Sequence, residues 1–247
     1  MNAISDAIAW ILDPAHWTGP GGIPIRLAEH LAYTGLTILI AGVIAIGLGL
    51  YIGHTGRFRG TSVIVTGALR ALPTLGLLVY LAVAFGFGIA QAIIPSIIVL
   101  VVLAIPPILA GTYSGIEAVD PKTVDAARAM GMTEWQILAK VEIPLALPLI
   151  VGGLRSGVLQ VVSTATVAAY LSLGGLGRFI FDGLPVRDYT QVLVGALLVT
   201  LLALVLDGLL VLVQRLVVPA GVRAIRSRVP QRTAKGASAQ AALTPSS

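Results

Sequence analysis

Side chains able to carry charge, move protons or hold metals are few in this sequence, and they crowd into one stretch. Residues 125–144, DAARAMGMTEWQILAKVEIP, hold three acids, two bases and a tryptophan, whereas the whole chain is 11% charged and 57% hydrophobic. Enzyme chemistry finds little to use here. There is no cysteine, which removes disulfides, thiolate nucleophiles and cysteine-bound metals. His30 and His54 are about 36 Å apart by helical rise, so His16, His30 and His54 form no shared metal site. The GGLG at 174–177 has the composition of a phosphate cradle. It follows a helical tract with no strand before it, and reads as a turn outside the membrane. No GxxxxGK[ST] sequence occurs, so ATP hydrolysis on this chain is not expected. Ser163, Thr164 and Thr166 lack a paired base and read as bonding to their own helix backbone. No cofactor is called for.

The elements that must position the charged stretch are membrane spans. Mean hydropathy is +0.96, and the apolar tracts 31–52, 62–113, 145–172 and 190–218 each reach the roughly 20 residues a span needs. The long tract 62–113 holds two spans, divided near FGFGIAQ (85–91). The expectation is an all-α polytopic protein with five helices, near 31–52, 62–85, 92–113, 146–171 and 191–217. Barrel strands are excluded, because the runs are too long and do not alternate polar with apolar. Pro73, Pro106 and Pro107 fall inside spans, and the second span has room for a kink or an extra break. Residues 1–30 form a lead-in with a short interfacial helix at 3–12. Residues 219–247 form a basic tail, disordered over 231–247.

Loop charges set an orientation. Arg57, Arg59, Lys122, Arg128, Lys140, Arg223, Arg226, Arg228, Arg232 and Lys235 share one side of a five-span arrangement, against Arg26, Arg178 and Arg187 on the other. The N-terminus is expected outside, the C-terminus inside, and the charged stretch in a cytoplasmic loop between the third and fourth spans. Three charges fall within spans, at similar depth: Arg70, Arg155 and Asp207. Such charges face partners or a water-filled path. The structural reading pairs Asp207 with Arg155 or Arg70. Gly152, Gly153, Gly157, Ala165 and Ala168 in the fourth span serve close helix packing. Spacing alone locates no substrate site.

Within the loop, 120–144 predicts two short helices. Asp120 caps the first and Pro121 suits its first turn. Gly131 breaks it, Thr133 caps the second, and Pro144 stops that one at the membrane surface. Such a pair lies under the bilayer and shows an alanine face beside a Trp, Met and Ile face. An ordinary amphipathic interfacial loop fits these features as well as a partner-docking segment does.

Asp125-Ala126-Ala127, three residues, Gly131, nine residues, then Val141-Glu142-Ile143-Pro144 resembles the EAA motif of ABC importer permeases. That pattern is Glu-Ala-Ala, three residues, Gly, nine residues, Ile-x-Leu-Pro. The tracts RLAEHLAYTGLTI (26–38), LRALPTLGLLVYL (69–81), GLRSGVLQVVSTATVAAYLSLGGLGRFIFDG (153–183) and LVGALLVTLLALVLDGLL (193–210) resemble permeases for glycine betaine, carnitine and choline. STATVAAYLSLGGLG departs from the GTATLAAFIGAGGLG typical of that branch.

The resemblance implies a bacterial plasma-membrane permease that works with ATP-binding cassette subunits, an extracytoplasmic substrate-binding protein, and a second copy or a homologous permease. Its coupling segment would dock on the ATPase through Asp125, Ala126, Ala127, Gly131, Trp135, Val141, Ile143 and Pro144. Membrane lipid is its surroundings, and no nucleic-acid partner is implied. Another small solute, such as an amino acid, is the alternative substrate class. A rival of another kind, an ion-coupled secondary transporter, needs an unpaired intramembrane acid and often repeated halves.

Overall fold

A computed structural model describes residues 3–86, 93–171 and 173–217, and every regular element in them is helical. A short helix α1 (Ala3–Leu12) and a 3-10 turn (Pro14–Trp17) precede α2 (Ile23–Thr55). α2 is 33 residues long, about 50 Å at 1.5 Å per residue, and outreaches a hydrocarbon core of about 30 Å. It begins eight residues before the expected first span, counting Ile23 against 31. Arg26, Glu29 and His30 broke the apolar pattern but are helical all the same. Gly56 ends the helix in the left-handed region, its N–H bonded to the Ile52 carbonyl at 2.9 Å.

The expected second span is two helices, α3 (Arg59–Ala71) and α4 (Thr74–Ala84), bent by 87°. Pro73 is the cause. It forces Leu72 into an extended conformation (ψ 129°) and offers no N–H to continue the ladder. α5 (Ile93–Glu117) keeps Pro106 and Pro107 within one helix. Most of the turn expected over 85–91 lies outside the described residues.

Glycines dictate how α2, α5 and α8 (Ile143–Ala168) meet. A Cβ on Gly49 would stand 2.6 Å from the Thr112 Cβ, and one on Gly53 2.6 Å from the Ile116 Cβ. That constant offset makes α2 and α5 parallel, so the bent α3–α4 pair has to carry the chain back across. α5 and α8 run antiparallel, and a Cβ on Gly111 would lie 2.5 Å from the Gly153 Cα. Gly157 meets Ile108, whereas Gly152 faces open space and takes no part. Ala165 and Ala168 are buried among Leu78, Leu100 and Leu173. Ser163, Thr164 and Thr166 each donate to a carbonyl one turn back, at 2.8–3.3 Å.

α9 (Gly177–Val186) was not anticipated, because Arg178, Asp182 and Pro185 interrupt its apolar pattern. It folds against the first turns of α10 (Tyr189–Val217), where Ile180 and Phe179 close on Gly195. The GGLG turn before α9 covers the start of α2. Gly175 N–H donates to Glu29 Oε2 at 2.8 Å, and His30 Nε2 donates to the Val162 carbonyl at 3.1 Å.

α10 runs antiparallel to α8, with Gln214 Nε2 on the Pro148 carbonyl at 2.9 Å. Between them Arg155 donates through Nε to Asp207 Oδ1 (2.5 Å) and through Nη2 to Oδ2 (2.7 Å). This two-pronged geometry suits a guanidinium and a carboxylate. Arg70 is not part of it. It is exposed in the last turn of α3, which packs on α5, whereas α10 packs on α8, α9 and α1. The basic tail from 219 lies outside the described residues.

Two outcomes are expected from this packing. Asp207→Asn in detergent-solubilised protein lowers the melting temperature by several degrees, and adding Arg155→Gln restores part of the loss; additive losses would deny the coupling. Gly111→Ala forces α5 from α8 and costs about 1–3 kcal/mol, whereas Gly152→Ala, facing open space, leaves thermal unfolding unchanged.

Candidate partner-docking surface

The stretch 120–144 projects from one end of the bundle, and its shape follows from local bonds. The Asp120 carboxylate accepts the Lys122 N–H at 2.9 Å and opens α6 (Pro121–Ala129). Gly131, at φ +83°, closes it. Its N–H bonds to the Arg128 carbonyl at 3.0 Å, while Met132 N–H reaches the Ala127 carbonyl at 3.2 Å. This paired closure needs a residue that tolerates the left-handed region, which is why glycine stands here. Thr133 and Gln136 then exchange side-chain bonds with each other's backbone N–H (3.4 and 3.0 Å), starting α7 (Glu134–Ile137).

Pro144 does not stop the second helix. α7 runs through a π-helical segment, Leu138–Glu142, directly into α8, and 134–171 qualifies as one continuous span. The wide turn is the reason. Ile143 N–H bonds back to the Leu138 carbonyl, five residues away. The looser coil relieves the clash between a proline ring and the carbonyl four residues before it. α6 is therefore the only separate short helix of the stretch.

Electrostatics brace the turn. Arg128 forks onto Glu134 through Nε (2.7 Å) and Nη2 (3.0 Å), and its Nη1 reaches Asp125 at 3.1 Å. The hydrogen bonds Arg128 donates to Glu134 raise its pKa above the ordinary value. These groups are half exposed, so their role is orientation more than stability. Deeper in, His54 at the end of α2 donates through Nδ1 to Glu142 Oε2 at 2.6 Å, with its Nε2 3.5 Å from Glu134 Oε2. Glu142 is buried, at 5% exposure. Nearby, Arg59 meets Glu117 at 3.1 Å, joining the start of α3 to the end of α5.

Asp125, Ala126, Gly131 and Trp135 all open to the outside at this end. Met130 and Trp135 are 76% and 74% exposed, beside the Arg128–Glu134 ion pair. Ala127 faces inward, and Ile137, expected in the exposed apolar face, is fully buried. Val141, Ile143 and Pro144 are half-buried and join the turn to the span. Arg70, Arg155 and Asp207 lie elsewhere in the bundle. Sequence reasoning missed His54, Glu134 and Glu142. Their one signal was a histidine beside a helix-ending glycine, facing a stretch rich in acids.

At the opposite end, a cleft of about 480 Å³ is lined by Trp10, His16, Phe179, Asp188 and Gln191 among others. His16 stacks on Trp10 with ring centroids 3.5 Å apart, covering a face that a cation would need.

A family described as "Binding-protein-dependent transport system inner membrane component" matches residues 44–219. The glycine betaine/carnitine/choline transport system permease protein OpuCB of Bacillus subtilis (strain 168) is 30% identical, over 85% of this chain and 94% of its own. The carnitine transport permease protein OpuCB of Listeria monocytogenes is 34% identical, over 82% and 91%. The osmoprotectant import permease protein OsmW of Salmonella typhimurium is 33% identical, over 88% and 100%. In fold, the chain superposes on a chain of the inward-facing MetNI methionine ABC transporter with a TM-score of 0.68, at 24% identity, covering 80% of this chain and 96% of that one. The chain therefore belongs to the binding-protein-dependent transport system inner membrane components, as a multi-pass permease subunit of an ABC importer whose ATP hydrolysis lies on separate subunits.

Proposed function

We propose that this permease imports quaternary-amine osmoprotectants of the glycine betaine, choline and carnitine class, with its N-terminus outside and its C-terminus in the cytoplasm. What carries the docking part is the exposed turn around Gly131. It offers Asp125, Ala126 and Trp135 to a partner while Arg128 holds α6 against α7. Ala127, Val141, Ile143 and Pro144 support that turn from behind. An ATP-binding subunit seated there would drive the turn as it closes on ATP. Two permeases, either two copies or this chain with a homologue, would share the two ATPases, and an external binding protein would deliver the solute. The substrate class follows the relatives, whose names carry betaine, carnitine and choline. The orientation follows the concentration of Arg57, Arg59, Lys122, Arg128 and Lys140 at the end that bears the turn.

Reconstituted with its ATPase and binding protein, the permease is expected to take up radiolabelled glycine betaine or choline only with ATP inside the vesicle. The purified chain alone hydrolyses none; uptake by this chain alone on an ion gradient would falsify the importer mechanism. The cognate binding protein is expected to bind a quaternary amine, and a preference for methionine or an inorganic anion would overturn the substrate class. Gly131→Trp places a side chain at φ +83°, a conformation costing L-residues about 1–2 kcal/mol. The variant should insert normally yet lose co-purification with the ATPase and at least most uptake.

A further inference from the structure

The π-helical segment Leu138–Glu142 is the one widened turn between α7 and α8. Such turns are where helices yield, since their hydrogen bonds close over five residues instead of four. Along the chain, force applied to the second half of the exposed turn enters α8 through this segment. One side chain from outside the helix touches both of its ends. His54 Nδ1 lies 2.6 Å from Glu142 Oε2, at the far end of the segment, and His54 Nε2 lies 3.5 Å from Glu134 Oε2, before it begins. A carboxylate only accepts, so the imidazole is the donor toward Glu142. Glu142 is 5% exposed and in contact with no other side-chain cation within ion-pair distance among the described residues. Its carboxylate therefore depends on His54 for compensation.

His54 is itself firmly seated. One residue earlier, Gly53 lets α2 close on Ile116 of α5, and about one turn before it Gly49 does the same at Thr112. On the outer side, Glu134 is held by the Arg128 fork, which joins it to α6. The sequence of contacts runs from the docking turn through Arg128, Glu134 and His54 to Glu142 and α2. It spans the weak turn without using the helix backbone.

We propose that His54 is a positioning residue that clamps the π-helical segment, so that the docking turn and α8 move as one rigid lever tied to α2. It touches neither the ATPase nor the solute. Its part is to keep the stroke of the docking turn from being lost by bending at 138–142. This inference rests on the importer reading.

The test uses the full complex of permease, ATPase and binding protein in lipid vesicles, with glycine betaine and choline as probes and ATP hydrolysis measured in parallel. His54→Ala is expected to keep ATPase co-purification and hydrolysis, while solute moved per ATP hydrolysed falls about tenfold. Glu142→Leu should do the same, and the double variant should be no worse than either single one. Glu142→Gln, which retains a hydrogen-bond partner for His54, should keep most of the ratio. His54→Gln keeps a donor beside buried Glu142, preserving the fold if the alanine variant does not assemble, and should give an intermediate ratio. A wild-type ratio in both His54 variants, or losses that add in the double variant, would overturn the clamp while leaving the importer intact. A wild-type complex with no ATP-driven uptake of any solute overturns the importer reading instead.

Discussion

α5 lies between α2 and α8 only because both interfaces are stripped of side chains where the backbones cross. In lipid, apolar side chains gain nothing by leaving one hydrocarbon surrounding for another, so helices are held by the contact that close approach allows. Gly49 and Gly53 provide it toward α5, and Gly111 meets Gly153 on the other side. The registers fixed there propagate outward. The α2–α5 offset delivers His54 to the level of Glu142, and the α5–α8 crossing turns Arg155 toward α10. A helix slipped by one turn at either crossing would separate these charges by about 5 Å. The small residues thus decide which polar groups meet.

Most polar groups in the bundle follow a second constraint, that nothing in a bilayer core replaces a lost hydrogen bond; the buried hydroxyls of Thr34, Thr37 and Ser96 are the exceptions among the described residues. Thr112, Thr164 and Thr66 turn their hydroxyls onto carbonyls of their own helices. His30 reaches across to Val162, and Arg155 and Asp207 satisfy each other. Other ion pairs gather at the ends: Arg59 with Glu117, Arg128 with Glu134, Arg26 with Glu29. The docking stretch is charged for the same reason that the spans are not. It lies where its bonds can be completed from outside the bundle, and Trp135 and Met130 are exposed there as well.

Much of this was legible before any coordinates. Hydropathy located the third and fifth spans, as α5 and α10, within a few residues, and Asp120, Gly131 and Thr133 marked their turns by residue type. The misses have physical causes. α2 was read short because its first turns are polar while still helical, and hydropathy reports lipid rather than backbone. The second span was given room for a kink or an extra break, but only packing reveals that the chain bends through 87° at Pro73. Pro144 was read as a stop because a proline removes one bond of an α-helix; that a π-turn can absorb it depends on five residues acting together. The His54–Glu142 bond joins positions 88 apart in sequence. No periodicity reports such a pair, and a lone histidine gave no hint of its partner.

Pairing also bears on how the protein is energised. Coupling to an ion gradient asks for an acid within the membrane that can exchange its counter-ion with the passing cation. Asp207 is the acid set deepest in the described spans, and both of its oxygens are already engaged by the two nitrogens of Arg155. A guanidinium stays protonated throughout the working pH range, so it cannot hand over its place by losing a proton. The Gln214–Pro148 bond joins α8 and α10 along the same seam. The charge is therefore spent on holding two helices together. The family places ATP hydrolysis on separate subunits, so energy enters through contact with another chain rather than through this ion pair.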